Sequence, residues 1–308
     1  MPRRVAGAVP PSGFKPALRG GKTARPAYTV APQSGMTRFM KIATYNINGI
    51  KARLPRLKEW LEETRPAVAC LQEIKSQDEG FPAEEFEALG YQPIWHGQKA
   101  FNGVAILADT KAGYAISEVQ RGLGINGPKE GEGEQARYLE VDVTCNGDYA
   151  ARIVGIYLPN GNPLPGPKFD YKLAWMEKLR ARMQAIWAEE VPAAVLGDYN
   201  VIPEDDDVYS VKAMASDALM QPESRAAYAR LLADGWTDAV RTLNPRGGVW
   251  TYWDYQAGAW QRDHGFRIDH ILLSPELADR LVSVGVDRDH RGREKASDHA
   301  PTWAILRG

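Results

Sequence analysis

From about Met40 onward the chain alternates short apolar runs with segments whose apolar residues recur every three or four positions. Lys41–Tyr45 reads as a short strand that ends at Asn46-Ile47-Asn48-Gly49. Leu54, Leu57, Trp60 and Leu61 carry the period of an amphipathic helix, which predicts helix over Pro55–Thr64. Further strands are predicted at Val68–Leu71, Gly103–Leu107, Tyr138–Val143, Ile153–Leu158, in the apolar run ending at Asp198, at Ile268–Leu273 and at Pro301–Leu306. Helices are predicted over roughly Lys168–Glu189 and Glu223–Asp234. Strands and helices alternate, yet the strands are too many for one doubly wound sheet. The fold class is therefore α/β, with two packed sheets and helices on the outside. No repeat of fixed period interrupts this order.

The polar residues fall in telling places. Asn46, Glu73, Tyr157, Asp198, Asn200, Asp269, Asp298 and His299 each stand at or just past the end of an apolar run. A buried strand delivers its terminal side chain with little positional freedom, which is what a preorganised site requires. Singly, each has a plain structural explanation: an Asn or Asp after a strand is most often a turn residue, and a lone Tyr or His is most often packed. Eight such placements in one chain are harder to attribute to turns and packing alone.

Composition narrows the class. With 308 residues, 44% of them hydrophobic, the chain can bury a full core. No run of about 18 apolar residues is present to cross a membrane. Cys70 and Cys145 lack ligand spacing and read as reduced core residues, which suits a reducing compartment. The net charge of −1 hides an asymmetry. Residues 1–40 hold seven basic residues and no acidic one; with those seven set aside, 31 basic residues face 39 acidic ones, near −8. An acidic body argues against a nucleic-acid partner, although carboxylates gathered around a metal account for part of the excess. Residues 1–39, rich in Pro, Gly, Ala and Arg, read as a disordered basic extension ahead of a catalytic domain over 40–308. A mitochondrial targeting peptide, an over-extended start with Met40 as the first residue, and a DNA-holding arm are the alternatives.

Several stretches together resemble the exonuclease III type of abasic-site endonuclease, within the endonuclease/exonuclease/phosphatase superfamily. They are Asn46-Ile47-Asn48-Gly49, Leu71-Gln72-Glu73-Ile74-Lys75, His96-Gly97-Gln98-Lys99, Gly103-Val104-Ala105-Ile106, Tyr157-Leu158-Pro159-Asn160-Gly161, Gly197-Asp198-Tyr199-Asn200, Arg267-Ile268-Asp269-His270 and Ser297-Asp298-His299-Ala300-Pro301. The resemblance runs from about Met40 to Arg307 in the family's order. It implies a DNase I-like, four-layer α/β sandwich of two mixed sheets flanked by helices. It further implies a DNA repair nuclease that hydrolyses the phosphodiester 5′ to abasic sites in duplex DNA, with 3′→5′ exonuclease and 3′-end cleaning activity. A monomer in the bacterial cytoplasm, associated with the nucleoid, is the matching expectation.

The resemblance also assigns roles. Glu73 resembles the principal ligand of Mg²⁺ or Mn²⁺, supported by Asn46 and Asp298 directly or through waters; Asp198, Asn200 and His299 complete the wider metal set. Asp198 resembles the group that deprotonates the attacking water, and Asn200 an amide donor to a phosphate oxygen. His299 resembles the phosphate-binding imidazolium, with Asp269 as the partner fixing its tautomer. Tyr157 resembles a group that orients the phosphate or serves the leaving oxygen. Substrate contacts are expected from Asn48, from His96, Lys99 and Asn102 on a loop beside the DNA backbone, and from Tyr252, Trp253 and Phe266 around a base-less sugar. Flipping is cheapest where no base must be unstacked. Arg291, Arg293 and Lys295 offer a further basic rim. His270 stands where several members carry an apolar or aromatic residue, which puts the sugar-pocket wall in doubt. Glu204–Asp207 reads as a solvated acidic loop that could attract a second metal. Two other readings stay open: a relative hydrolysing phospholipid or general DNA, and a catalytically silent binder, which Glu73, Asp198, Asp269 and His299 together disfavour.

Overall fold

A computed structural model describes residues 38–308. The expected 1–39 extension lies outside the described residues except for Arg38 and Phe39, and Phe39 already belongs to the fold, paired with Arg307. In chain order the strands are β1 (Phe39–Asn46), β2 (Val68–Gln72), β3 (Tyr91–His96), β4 (Val104–Asp109), β5 (Tyr114–Arg121), β6 (Tyr138–Cys145), β7 (Asp148–Tyr157), β8 (Ala193–Asp198), β9 (Thr237–Asp238), β10 (Asp269–Leu273), β11 (Leu281–Val286) and β12 (Thr302–Arg307). They form two six-stranded sheets, ordered β11-β12-β1-β2-β4-β3 and β5-β6-β7-β8-β10-β9. Each sheet is mixed, with one parallel pair at its centre, β1 with β2 and β7 with β8.

Period-two alternation explains why the central strands read as unbroken apolar runs. In β2, Val68 and Cys70 face the other sheet, whereas Ala69 and Leu71 face outward. In β8, Ala194 and Leu196 point inward, and Ala193 and Val195 outward. Strands covered on both faces need apolar residues at every position. The sheets meet so closely that a Cβ added to Gly155 would lie 3.3 Å from Cys70 Sγ. Helices α1 (Ile50–Thr64) and α2 (Ala83–Leu89) cover one outer face through Leu57, Trp60, Leu61 and Phe86. Helix α3 (Pro167–Ala188) covers the other through Trp175, Leu179 and Met183. The four layers are those expected. No described helix is long and apolar enough to cross a membrane.

The four unpredicted strands, β3, β5, β9 and β11, are the edge members of the two sheets, and all but the short β9 are long, partly exposed edges. Their alternation with polar residues is irregular, and β5 and β11 each carry a register shift against their partner.

Candidate active site

Strand parity gathers the polar residues. Asn46, Tyr157 and Asp198 are the last residues of β1, β7 and β8, and Asp269 is the first of β10. Counting back in twos from each leads to inward residues such as Ile42, Ile153 and Leu196, and forward from Asp269 to Ile271. All four therefore open onto one mouth between the sheets. Register fixes the spacing, since Asp198 pairs with Tyr157 on one side and Asp269 on the other. Glu73 follows β2 directly, in a left-handed backbone conformation (φ 51°), and Asn200 has the same unusual geometry (φ 48°). Non-glycine residues held there cluster at functional sites. The segment Ser297–His299 precedes β12 and is tied across to β1 by the Ser297 hydroxyl, which donates to the Asn46 carbonyl at 2.6 Å.

Asn46 joins the two sheets. Its Nδ2 donates to Glu73 Oε1 at 2.8 Å and to Asp198 Oδ2 at 3.0 Å. Its Oδ1 accepts from the Asn48 backbone N–H. Asn48 in turn donates to Asp298 Oδ1 at 3.1 Å and accepts from Lys75, whose ammonium also pairs with Glu73 Oε2 at 2.8 Å. On the far side His299 Nδ1 meets Asp269 Oδ2 at 2.8 Å, and His299 Nε2 stands 3.8 Å from Asp198 Oδ2. The Thr251 hydroxyl accepts from the backbone N–H groups of Ile268 and Asp269, which steadies the start of β10.

The electrostatics follow from these contacts. Burial alone would depress His299, but Asp269, Asp198 and Asp298 lift its pKa to about 10, so the ring is an imidazolium. Burial pushes Asp198 up to about 7, against the pull of His299. Burial also opposes ionisation of Glu73, yet Lys75 and Asn46 hold its carboxyl below the ordinary range. Burial and the Glu73 charge keep Tyr157 a neutral hydroxyl, well above its usual pKa.

The six residues expected to ligate a metal divide. Glu73, Asn46 and Asp298 share the Asn48–Lys75 network at the mouth. Asn200 is engaged elsewhere: its amide donates to Leu158 O and accepts from Asn160. His299 is committed to Asp269, and as an imidazolium it has no lone pair for a metal. Among the described residues no three His, Cys, Asp or Glu side chains alone form a metal cage. An ionised, oxygen-only donor set completed by amide oxygen and water fits a hard divalent cation that keeps several waters.

A cavity of about 520 Å³ opens over Glu73, Tyr157, Asp198, Asn200, Asp298 and His299. Tyr252, Phe266, Leu219 and Met214 form its apolar side, and Tyr252 packs edge-on against His299 with ring centroids 4.9 Å apart. Trp253 corrects an expectation. It is fully buried, its indole donates to Asp263, and it is absent from the cavity wall, because alternation turns it away from its neighbour Tyr252. His96 ends β3 instead of lying in a loop, and Asn102 is buried with its amide on Gln98; only Lys99 of that group is freely exposed. A second cavity of about 300 Å³, lined by Asn102, Arg137 and Lys168 among others, meets the first at Tyr157 and Asn160.

Three secondary expectations also change. His270 lies on the outward face of β10, buried against Tyr199 and Tyr228, and does not touch the cavity. Glu204, Asp205 and Asp206 are exposed, as a solvated loop requires, with Asp205 and Glu204 pairing with Arg225 and Arg241; only Asp207, the last of the acidic run, departs, being buried and bound to Arg267 and Arg241. Arg291 is buried against Trp260 and the Trp253 carbonyl, and Arg293 pairs with Glu59 and Glu63, so only Lys295 remains of the proposed rim. Conversely, Lys75, Asn160 and Arg137 carry no role legible in the sequence. The Arg137 guanidinium lies over the Tyr157 ring at 4.7 Å and donates to its carbonyl. Lys75 and Asn160 stand inside two of the quoted motifs, which was the available signal; Arg137 stands in none.

A sequence model of the Endonuclease/Exonuclease/phosphatase family matches residues 43–299. The chain is 36% identical to exodeoxyribonuclease III of Haemophilus influenzae over 273 residues, 86% of this chain and 99% of that protein. Among solved structures it resembles an AP endonuclease from Archaeoglobus fulgidus (TM-score 0.79, 33% identity, covering 87% of this chain and 99% of that one). It is equally similar to a 3′ phosphatase from Neisseria bound to a product DNA hairpin (TM-score 0.79, 33% identity, the same coverage).

Proposed function

The chain belongs to the endonuclease/exonuclease/phosphatase family, and from that premise we propose that it is a DNA repair nuclease. Its reaction is hydrolysis of the phosphodiester 5′ to an abasic site in duplex DNA, accompanied by 3′→5′ exonuclease and 3′-end cleaning activity. The observation that carries this reading is the pairing of an imidazolium with a buried carboxylate of near-neutral pKa, 3.8 Å apart across one mouth. The two are opposite partners for in-line attack on a phosphorus.

Asp198 takes the proton of the attacking water; a base with a pKa near the working pH is the efficient one. Its Oδ1 accepts from the Asn200 backbone N–H and its Oδ2 from Asn46, which leaves little freedom to rotate. His299 Nε2 donates to a non-bridging oxygen and stabilises charge as it builds, while Asp269 holds the ring in orientation. Asn200, which lines the cavity, offers its remaining amide N–H to the same phosphate without adding negative charge. Tyr157, neutral and beside Glu73, orients the phosphate or serves the leaving oxygen. Water forms the new P–O bond, its proton passing to Asp198, as the bond to the 3′-oxygen breaks, and the displaced oxygen takes a proton from the neutral Tyr157 hydroxyl or from solvent. No side chain is acylated or phosphorylated.

Glu73, with Asp298 and Asn46, would hold Mg²⁺ or Mn²⁺; such an ion neutralises phosphate charge and stabilises the leaving oxygen. Lys75, which contacts both Asn48 and Glu73, keeps those two side chains side by side at this position. Tyr252 and Phe266 wall the sugar subsite, and Lys99 and Asn48 contact the backbone without reading sequence. The protein acts as a monomer in the bacterial cytoplasm. A duplex carrying one tetrahydrofuran abasic analogue tests the reading. Mg²⁺ should support incision 5′ to the analogue, EDTA should abolish it, and an undamaged duplex should show no internal incision, only shortening from its 3′ ends. Incision indifferent to chelation would rule the mechanism out.

A further inference from the structure

Lys172 is the one fully buried lysine among the described residues, and the chemistry above does not use it. It rises from the second turn of α3 and aims Nζ at three main-chain carbonyl oxygens: Pro159 at 3.3 Å, Asn160 at 3.1 Å, and Asn200. The carboxylates whose fields reach it, Asp198 and Asp217, form no ion pair with it. A buried cation without a counter-ion is costly to keep, and burial pulls the Lys172 pKa down to about 7. An ammonium has three N–H donors and no acceptor, so the three carbonyls match its charged form one for one. The fit is close: a Cβ on Gly161 would lie 2.7 Å from Lys172 Cδ and 3.1 Å from Ala218 Cβ.

The three carbonyls belong to two segments, and each segment carries an amide of the catalytic cavity. Asn160 Nδ2 donates to Asn200 Oδ1 at 3.1 Å, and both side chains line the cavity. Asn200 holds its left-handed backbone in the turn whose carbonyl Lys172 grips. We propose that Lys172 is a positioning residue for the scissile phosphate: it clamps the Pro159–Asn160 loop to the Asn200 turn and sets a positive charge behind the two amides that receive the anion. The lysine touches neither substrate nor water. It acts through Asn160 and Asn200, and the inference rests on the phosphodiesterase reading above.

The full-length protein, assayed on the abasic-analogue duplex with Mg²⁺, tests it. Lys172→Met should lower kcat at least about tenfold, roughly an order of magnitude less than loss of a direct transition-state donor, because the lysine acts through the two amides. KM for the duplex should stay within about threefold. Lys172→Arg, which keeps charge and donors, should recover more of kcat than Lys172→Gln, which keeps only donors. In the double variant Lys172→Met/Asn200→Ala the losses should fail to multiply, because both act through one group. A folded Lys172→Met with kcat within about twofold of wild type would overturn the inference, as would losses that multiply in the double variant. Should Lys172→Met not fold, the Arg and Gln variants decide, and equal kcat in those two sinks the role of the charge. A wild-type protein inactive on this duplex would strike the functional reading itself, whereas active wild type with unchanged lysine variants strikes this inference alone.

Discussion

Two buried histidines, from the neighbourhoods of adjacent residues on one strand, end in opposite charge states. Asp269 and His270 follow one another on β10 and so face opposite sides of the sheet. On the inward side Asp269 holds His299, whose pKa rises to about 10 among three carboxylates. On the outward side burial and the Arg267 guanidinium drive His270 down to about 4. Its Nε2 meets Val201 O at 2.9 Å and its Nδ1 meets Arg267 at 3.0 Å, which requires a neutral ring. Arg267 itself is held by Asp207 and Asp238, and Tyr228 donates to Asp238. The outward cluster is an ion network whose members do not line the catalytic cavity. The inward cluster leaves Asp269 Oδ1 without a partner and opens onto 520 Å³ of space. Burial is common to both; the sign of the nearest fixed charge decides which histidine can serve an anion.

Breaking the inward cluster should give the largest effect. Asp198→Asn and His299→Asn should each cut turnover by on the order of 10²–10⁴ while duplex binding persists; the thermal midpoint should barely move in Asp198→Asn but fall in His299→Asn, which removes the cation paired with buried Asp269. Steady-state kinetics beside a gel-shift titration checks this, and near-normal turnover in either variant would remove that residue from its role. Arg267→Met attacks the outward cluster. It strands Asp207 and Asp238, and a broken buried pair costs roughly 3–5 kcal/mol, or about 10 °C in a domain of this size. Thermal melting should show that loss, with kcat at 25 °C far less affected than in the first pair.

The smallest and most diagnostic effects are in pH. Asp198 works only as a carboxylate, so kcat/KM should climb as pH rises through about 7. His299 works only while protonated, so it should fall as pH passes about 10. Stability tells the two rings apart. His270 has a folded pKa below its ordinary 6.5, so its contribution is present above that value and is lost as pH falls from about 6.5 towards 4. His299 has a raised folded pKa, so its contribution is whole below 6.5 and is lost as pH climbs through about 10. Melting temperatures across pH should lose part of the acid slope in His270→Gln and part of the alkaline slope in His299→Asn. Parallel curves for both variants would mean the two histidines do not differ as described.

The central strands and the residues at their ends were legible because burial on both faces leaves an unbroken apolar run with one polar residue at its stop. Asn46, Tyr157, Asp198 and Asp269 announce themselves that way. The edge strands β3 and β5 did not, since an exposed edge mixes polar and apolar residues without a clean period. Trp253 and Tyr252 are adjacent aromatics whose fates differ by one step of alternation. Arg291 and Arg293 read as a basic rim, but folding spends one on an indole and carbonyls and the other on two glutamates. Lys172 could not be told from the solvated lysines around it, because a helix surface becomes an interior only when two loops close over it.

What the chain by itself determined was the set of strands buried on both faces, the helices that cover them, and the chemical types delivered at the strand ends, because hydrophobic period and strand termination are local properties. Which carboxylate faces which histidine, and so which ring is charged, was decided only in three dimensions. Asp198, Asp269 and His299 are brought together by register and sheet packing across up to a hundred residues of chain. A pKa depends on the distance to charges that no sequence spacing records.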